Sequence, residues 1–552
     1  MNRILALLFV ALLLNTAYIA AFAEASIFYM GNVLMHVVLG VIVFILALKF
    51  IPNWQRLLAL LVAATGAYLT VMGATTPNQK ILWTHIAVGV LAAIAAALTF
   101  PRVRTAVAVL TLAGLGLALR PVKEARIVNP EVVPLSMEEE GDGPKSPFWP
   151  SSSTTNVKTT IPSDFFMDSK LCGECHKDIY EQWNSSMHHF ASFNNQFYRK
   201  SIEYMQDHVG TKPSKWCAAC HDHAVFFNGR FDKPIKEQVD TPEAQNGLGC
   251  MSCHSVSHVD SSMGNGGFTI EYPPLHELAS SRNKYIRALD YFLTYLDPEP
   301  HRKTFMKPFM RKDSAEYCST CHKVHLDVPV NSYRWLRGFN DYDNWQASGV
   351  SGQGARSFYY PPKSQTCNDC HMPLVDSNDP GNRDGKVHSH RFPAANTAVA
   401  HVNKDAKQLE ATEKFLKSGF ITVDIFAASA FKEEKHAAQR RAGDAAQQAM
   451  TTFAVGEESE QNTQVFLREV GDVAAPLDQS PTTFKPGDTV RLDVVVRTRR
   501  IGHFFPGGTV DAFDIWLELE GKDATGKTVF SNGAVQDNGK GPVDPAAHFY
   551  RS

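Results

Sequence analysis

All ten cysteines of this chain fall into five copies of one pattern: Cys172-Gly-Glu-Cys175-His176, Cys217-Ala-Ala-Cys220-His221, Cys250-Met-Ser-Cys253-His254, Cys318-Ser-Thr-Cys321-His322 and Cys367-Asn-Asp-Cys370-His371. The spacing has one specific chemical use. Two thiols held as C-x-x-C reach the two vinyl groups of a haem, and the following histidine lies under the iron as its proximal ligand. A disulfide framework would not place histidine after every second cysteine. Zinc knuckles would need paired motifs to share a metal and would not require the histidine each time. Five covalent haem c groups are therefore expected, with His176, His221, His254, His322 and His371 proximal. Such attachment occurs outside the cytoplasmic membrane, so this part of the chain belongs on the periplasmic or outer side.

Closed irons need a second axial ligand each, and the supply is ample. Beyond the motif histidines and two in the apolar N-terminal region, fourteen remain. His301 follows Pro300, while His388 and His390 precede Pro393, and a neighbouring proline stiffens the backbone that presents the ligand. His258 and His325 lie four and three residues after proximal histidines. They cannot reach the far side of their own haem and would serve a neighbour. His223, two residues after His221, is expected at a propionate. Met306 and Met310 read as packing residues.

The elements that must position these groups differ sharply along the chain. Residues 4–119 hold a single acidic residue, Glu24, and five apolar runs at about 4–22, 29–48, 57–73, 81–100 and 103–119. The middle runs approach the roughly 20 residues that span a bilayer. The first carries Arg3 and ends in Ala21-Phe-Ala23, so residues 1–23 read either as a cleaved signal peptide or as a retained anchor. Arg3, Lys49, Arg56, Arg102 and Arg104 fall on one side of the spans and only Lys80 on the other. The positive-inside rule then sends the chain outward after Leu119. This agrees with the haem compartment by an independent route.

The apolar region also repeats. His36-Val-Val-Leu-Gly40-Val runs on to Pro52, and His85-Ile-Ala-Val-Gly89-Val runs on to Pro101, every mark shifted by 49 residues. Two parallel helices thus carry a histidine at one depth, where an ionisable side chain is a functional candidate. Three readings stay open: His36 and His85 ligate one haem b, they hydrogen-bond a quinone, or they are interfacial side chains kept by duplication. The pattern resembles small membrane cytochromes b built from a duplicated helix pair.

Residues 120–165, rich in Pro, Ser and Thr, read as an irregular linker lying on or near the next domain. Residues 166–402 read as a pentahaem domain of short helices and long loops with little strand. Over 403–552 a helix near 404–417 gives way to alternating strands at 421–426, 489–498 and 513–519, with a polar stretch at 432–462 read as a helix or insertion. The fold class expected is a multi-domain chain. An N-terminal α-helical membrane bundle of four or five spans leads to the haem-packed, mostly α or irregular domain, and a C-terminal antiparallel β-sandwich-like domain follows. The chain stops in what reads as the middle of that β-domain, so a piece of a longer protein is expected.

Two segments carry a resemblance. Trp183-x-x-Ser186-x-His188, after the first motif, resembles the multihaem cytochrome c family that includes the tetrahaem electron carriers of nitrogen oxidation, over about Leu171–Ala191. It implies His188 as a distal ligand, with His189 leaving the register open by one. Arg500-Ile-Gly502-His503-Phe-Phe505-Pro506-Gly507-Gly508-Thr509 resembles a Gly-His-x-Phe-Pro-x-Gly segment found in many multihaem cytochromes. There the histidine reaches from a β-domain into the haem array, which implies His503 as a distal ligand. The alternative is a histidine packed in a β-turn.

The function expected is electron carriage between the quinone pool and a redox partner protein outside the cytoplasm, from a position in the cytoplasmic membrane and its lipid. The rival is a multihaem enzyme of the nitrite, sulfite or hydroxylamine type with one open haem. A third reading makes the membrane part an anchor with no redox role. A net charge of -2 carries no sign of a partner, and no nucleic acid is expected.

Overall fold

The computed structural model describes residues 3–120, 127, 129–272, 278–332, 335–355, 362–431, 472–508 and 513–550. The polar stretch 432–462 lies outside the described residues. Compactness groups residues 1–415 with 502–552 and sets 416–501 apart as a second unit.

In the first unit five helices open the chain: α1 (Arg3–Ala21), α2 (Ile27–Ala47), α3 (Asn53–Met72), α4 (Gln79–Thr99) and α5 (Pro101–Ala118). All five are long and apolar enough to cross a membrane. Helix is the form that satisfies every backbone polar group within an apolar run. The breaks follow local chemistry. Ser26 caps α2 by accepting from the Tyr29 amide at 3.2 Å. Pro52 precedes α3 and Pro101 sits at the first position of α5, where the missing N–H is harmless.

Inside this bundle α1 packs on α2 and α5, and α3 on α4. Asn15 donates to Asn32 at 2.9 Å, tying α1 to α2. Gln55 donates to the Ala95 carbonyl at 2.8 Å and to Thr99 at 2.7 Å, tying α3 to α4. The segment read as either signal or anchor packs against α2 and α5 in this bundle.

Residues read as the linker contribute side chains to the core of the motif-bearing part. Phe148, Ile161 and Phe165 enter a core built largely of phenylalanine, with Phe166, Phe226, Phe227, Phe231 and Phe268. Thr154–Thr155 pairs in parallel with Phe268–Ile270, which pairs antiparallel with Val256–Val259. Strands between the motifs are only two to five residues long. Each motif lies on or at the end of a short helix, such as Thr211–His221, Cys250–His254 and Cys367–His371.

A helix at Lys284–Leu296 joins this part to one end of the bundle, packing on α2 and α3. The Ala74 amide donates to the Tyr295 carbonyl at 2.9 Å, and the Tyr29 hydroxyl donates to Asp297 at 2.6 Å.

Over 403–552 the helix is Ala406–Leu416. The β-structure takes the form of small ladders. In the second unit Ile421–Ala430 pairs antiparallel with Val490–Thr498, and Val473–Ala474 adds a third strand. In the first unit Ile515–Trp516 pairs with Phe549–Tyr550, and Leu519–Lys522 with Thr528–Asn532. Among the described residues the strands of this part form two- and three-stranded sheets.

Candidate functional site

The five motif histidines are oriented before any iron is considered. His221, His254 and His371 each point Nδ1 at a backbone carbonyl: Ala191 at 2.7 Å, Phe305 at 2.7 Å and Pro393 at 2.8 Å. His176 Nδ1 meets the Asp379 carboxylate at 2.9 Å. His322 Nδ1 lies 3.7 Å from Asp341, an ion-pair rather than a hydrogen-bond distance. Carbonyls and ionised carboxylates only accept, so Nδ1 carries the proton and Nε2 offers its lone pair. That is the orientation that outer partners impose on metal-binding histidines.

Four of these rings face a second histidine at nearly one spacing. Ring centres are 6.2 Å apart for His176 and His301, 6.3 Å for His254 and His390, 6.2 Å for His371 and His503, and 6.3 Å for His322 and His188. A metal–imidazole bond of about 2.0 Å plus roughly 1.2 Å from nitrogen to ring centre puts two rings on opposite sides of one atom about 6.3 Å apart. The residues therefore fit one iron between each pair. Three pairs are near parallel, at 19°, 25° and 15°, and His188 stands at 76° to His322.

His221 differs. Among the described residues no histidine faces it at this spacing, and Tyr198 stacks directly on its ring at 4.3 Å. Behind them lies a buried polar cluster in which both Ser192 and Tyr198 donate to the Asp222 carboxylate. Burial pushes that carboxyl up to about 7 against the pull of these two donors.

Electrostatics favour the neutral, ligating form at the distal positions. Burial pushes His188 down to about 3, and His301 and His390 to about 4. Burial likewise holds His371 at about 4. At His176 and His322 burial also acts downward, but Asp379 and Asp341 outweigh it and the two imidazoles end above their ordinary value.

The remaining candidates are placed elsewhere. His325 is buried against Glu140 at 2.5 Å and Asn265 at 2.9 Å, which pins the linker. His258 is half-exposed, 3.7 Å from Asp260. His388 bonds the Met372 carbonyl at 2.7 Å, and its own carbonyl meets Nδ1 of His390 at 2.9 Å, so it steadies the ring that faces His254. His223 is buried among Phe166, Phe227 and Phe268 and lines the cavity beside the motifs. His189 bonds the Asn184 carbonyl at 2.7 Å and packs on Trp183, whereas the neighbouring His188 ring faces His322.

The segment carrying His503 approaches the motif region through glycines. A Cβ on Gly502 would lie 2.9 Å from Trp345, and one on Gly507 2.9 Å from Asp341. No larger residue fits either place without displacing them. In the bundle, His36 and His85 have ring centres 6.4 Å apart at 79°.

Sulfur contacts connect the motifs in an order different from the sequence. The Cys172 side chain neighbours that of Cys250, Cys220 that of Cys321, and Cys318 that of Cys367. Tyr317, just before Cys318, donates to the Cys253 carbonyl at 3.0 Å. The Tyr291 hydroxyl bonds the Cys175 thiol, which puts the first motif nearest the bundle. A cavity of about 2610 Å³ runs from His36 and His85 past Tyr291 to the motif cysteines. Ligand pockets are commonly about 300–1,000 Å³, so this space suits several cofactors.

Asp379, Asp341, Thr16 and Thr65 contact these histidines and were not among the residues singled out from sequence. The threonines had a signal, since they too are 49 residues apart. Asp379, 203 residues from His176, had none.

Residues 171–255, which include the first three motifs, match the family of cytochrome c554 and c-prime. That stretch is thus a cytochrome c domain, which implies covalent haem c and belongs to electron transfer. No curated protein and no solved structure matches the chain.

Proposed function

We propose that this chain is a membrane-anchored multihaem cytochrome that moves electrons between the quinone pool and a redox protein outside the cytoplasm, through five covalent haems. The observation that carries the reading is the set of four histidine pairs, each spaced for one six-coordinate iron. Bound haem would supply one-electron ferric–ferrous exchange, so a quinol giving up two electrons and two protons reduces two irons.

The protein's own residues hold and tune. Each cysteine pair fixes one macrocycle, and each Nδ1 partner fixes an imidazole. Carboxylates behind His176 and His322 make those ligands more electron-rich than the carbonyl-backed ones. The nearness of Cys172 to Cys250, of Tyr317 to the Cys253 carbonyl and of Cys318 to Cys367 supports an order that starts with the site of His176 at the membrane end and runs through those of His254, His322 and His371. The site of His221 branches from that of His322 through Cys220 and Cys321. The Lys284–Leu296 helix keeps the first site against the outer end of α2 and α3.

Anaerobic addition of a soluble quinol analogue to the detergent-purified chain should reduce the covalent haems. Reduction by dithionite but not by quinol would overturn the reading. A His36→Ala/His85→Ala double variant that keeps its quinol rate would reduce the membrane part to an anchor.

His221 favours a second reading, a multihaem enzyme with one open iron, because no histidine faces it among the described residues. A high-spin ferric signal that collapses on adding nitrite, sulfite or hydroxylamine would support it. Five low-spin haems would exclude it.

A further inference from the structure

We propose that His36 and His85 hold one non-covalent, b-type haem between α2 and α4, with Thr16 and Thr65 setting the tautomer of each ligand. This deepens the function proposed above by naming the cofactor at its membrane end, and it rests on that reading only for its place in the electron route.

The spacing is the first argument. At 6.4 Å the two rings stand as far apart as the four pairs of the motif region, at 6.2–6.3 Å. No hydrogen bond joins them among the described residues. A quinol bonded to both rings by its two oxygens would hold the facing nitrogens roughly 11 Å apart, from about 5 Å across the ring and about 2.8 Å per hydrogen bond. The pair is too close for that and suits a single atom.

The tautomer is the second argument. The Thr16 hydroxyl lies 2.7 Å from the Leu12 carbonyl and 3.2 Å from His36 Nδ1. The Thr65 hydroxyl lies 2.8 Å from the Leu61 carbonyl and 3.0 Å from His85 Nδ1. A hydroxyl has one proton, and the carbonyl can only accept it. The threonine oxygen must then accept from Nδ1–H, which leaves Nε2 bare toward the cavity, the form that ligates a metal. Both threonine–histidine pairs span 20 residues and lie 49 apart, so the repeat duplicated ligand and support together.

The surroundings select a macrocycle over a bare ion. Among the described residues no group of three or more His, Cys, Asp or Glu is placed to hold a metal. Two histidines alone leave an ion short of ligands, whereas haem brings four nitrogens of its own. One turn beyond each histidine, Gly40 and Gly89 have nothing within 4 Å of where a Cβ would stand. These glycines leave open floor beside the ligands. No cysteine lies near this pair in the sequence, so the group would be held by coordination and packing alone.

The full chain is purified in detergent and extracted with acid–acetone, and pyridine haemochrome spectra are taken of extract and residue. One protohaem per chain is expected in the extract. His36→Ala and His85→Ala should each lose it while covalent haem is unchanged. No protohaem from a wild-type chain with full covalent haem, or its retention in both variants, would overturn the proposal. Thr65→Val serves if the alanine variants do not accumulate. It should keep protohaem but shift only that group's midpoint potential upward, with Thr65→Ser restoring it, and an unmoved potential would overturn the assigned tautomer. Quinol reduction of the covalent haems is read on the same samples. A chain without protohaem that quinol still reduces sinks this inference alone, and a loaded chain that quinol cannot reduce sinks the proposed function alone.

Discussion

Replacing Asp379 with asparagine isolates what a carboxylate behind a proximal histidine does. Asp379 is 1% exposed and accepts from His176 Nδ1 at 2.9 Å. Asparagine keeps an oxygen acceptor of the same shape, so the ring should stay in place while the charge is lost. A hydrogen bond to a charged group is worth about 1.5–3 kcal/mol and a neutral one about 0.5–1.5, leaving about 1–1.5 kcal/mol for the charge. For a one-electron couple, where about 1.4 kcal/mol corresponds to about 59 mV, that is a shift of roughly 40–65 mV. The direction is upward, because the carboxylate favours the ferric over the ferrous iron and its removal withdraws that preference. Spectroelectrochemical titration of the purified chain should show one component displaced and the others unmoved. Asp341→Asn, whose carboxylate stands at 3.7 Å from His322, should give a smaller displacement in another component. A downward shift, or none above about 10 mV, would refute the assignment of His176 as an iron ligand tuned by Asp379.

Two further changes probe the scaffold. Gly247 has φ +64, and a Cβ there would sit 1.8 Å from the His189 carbonyl, so Gly247→Ala should cost at least about 1–3 kcal/mol of stability and disturb the low-spin signal of the haem proposed between His188 and His322. Thermal unfolding and electron paramagnetic resonance read the two effects. Burial holds the Asp297 carboxyl above its ordinary value, with Glu299 adding to this, although the Tyr29 hydroxyl draws it back. The folded chain therefore binds that proton more tightly than the unfolded chain. Stability should fall as pH rises from the ordinary carboxylate range through the folded value and then level off. Asp297→Asn should flatten that slope in melting curves across the acidic range, and an unchanged slope would assign it to other groups.

How far each feature was legible follows from the range of its cause. The Cys172–His176 type of motif is local covalent chemistry, and five copies could be read with no fold in hand. The apolar runs had to become helices, since length and composition alone satisfy the backbone in an apolar medium. The 49-residue shift likewise placed His36 and His85 at matching depth, and it would have yielded Thr16 and Thr65 had every repeated polar residue been followed. The C-terminal strands were found by alternation, but alternation does not say how strands assemble, and their pairing into small ladders came from the tertiary structure. Ligand pairing was the least legible. His188 and His503 carried a resemblance and His301 and His390 a nearby proline, while His325, a weaker candidate by sequence, is turned to Glu140 because the linker folds back over it. Which histidine faces which iron, what stands behind each Nδ1 and which sulfurs touch depend on residues brought together from hundreds of positions away. The first motif contacts the third before the second, and the fourth contacts both the second and the fifth. The sequence by itself determined the five C-x-x-C-H motifs, whereas tertiary packing alone decided which side chain faces each motif histidine, because axial coordination requires two side chains on opposite faces of one plane and local spacing supplies only the first.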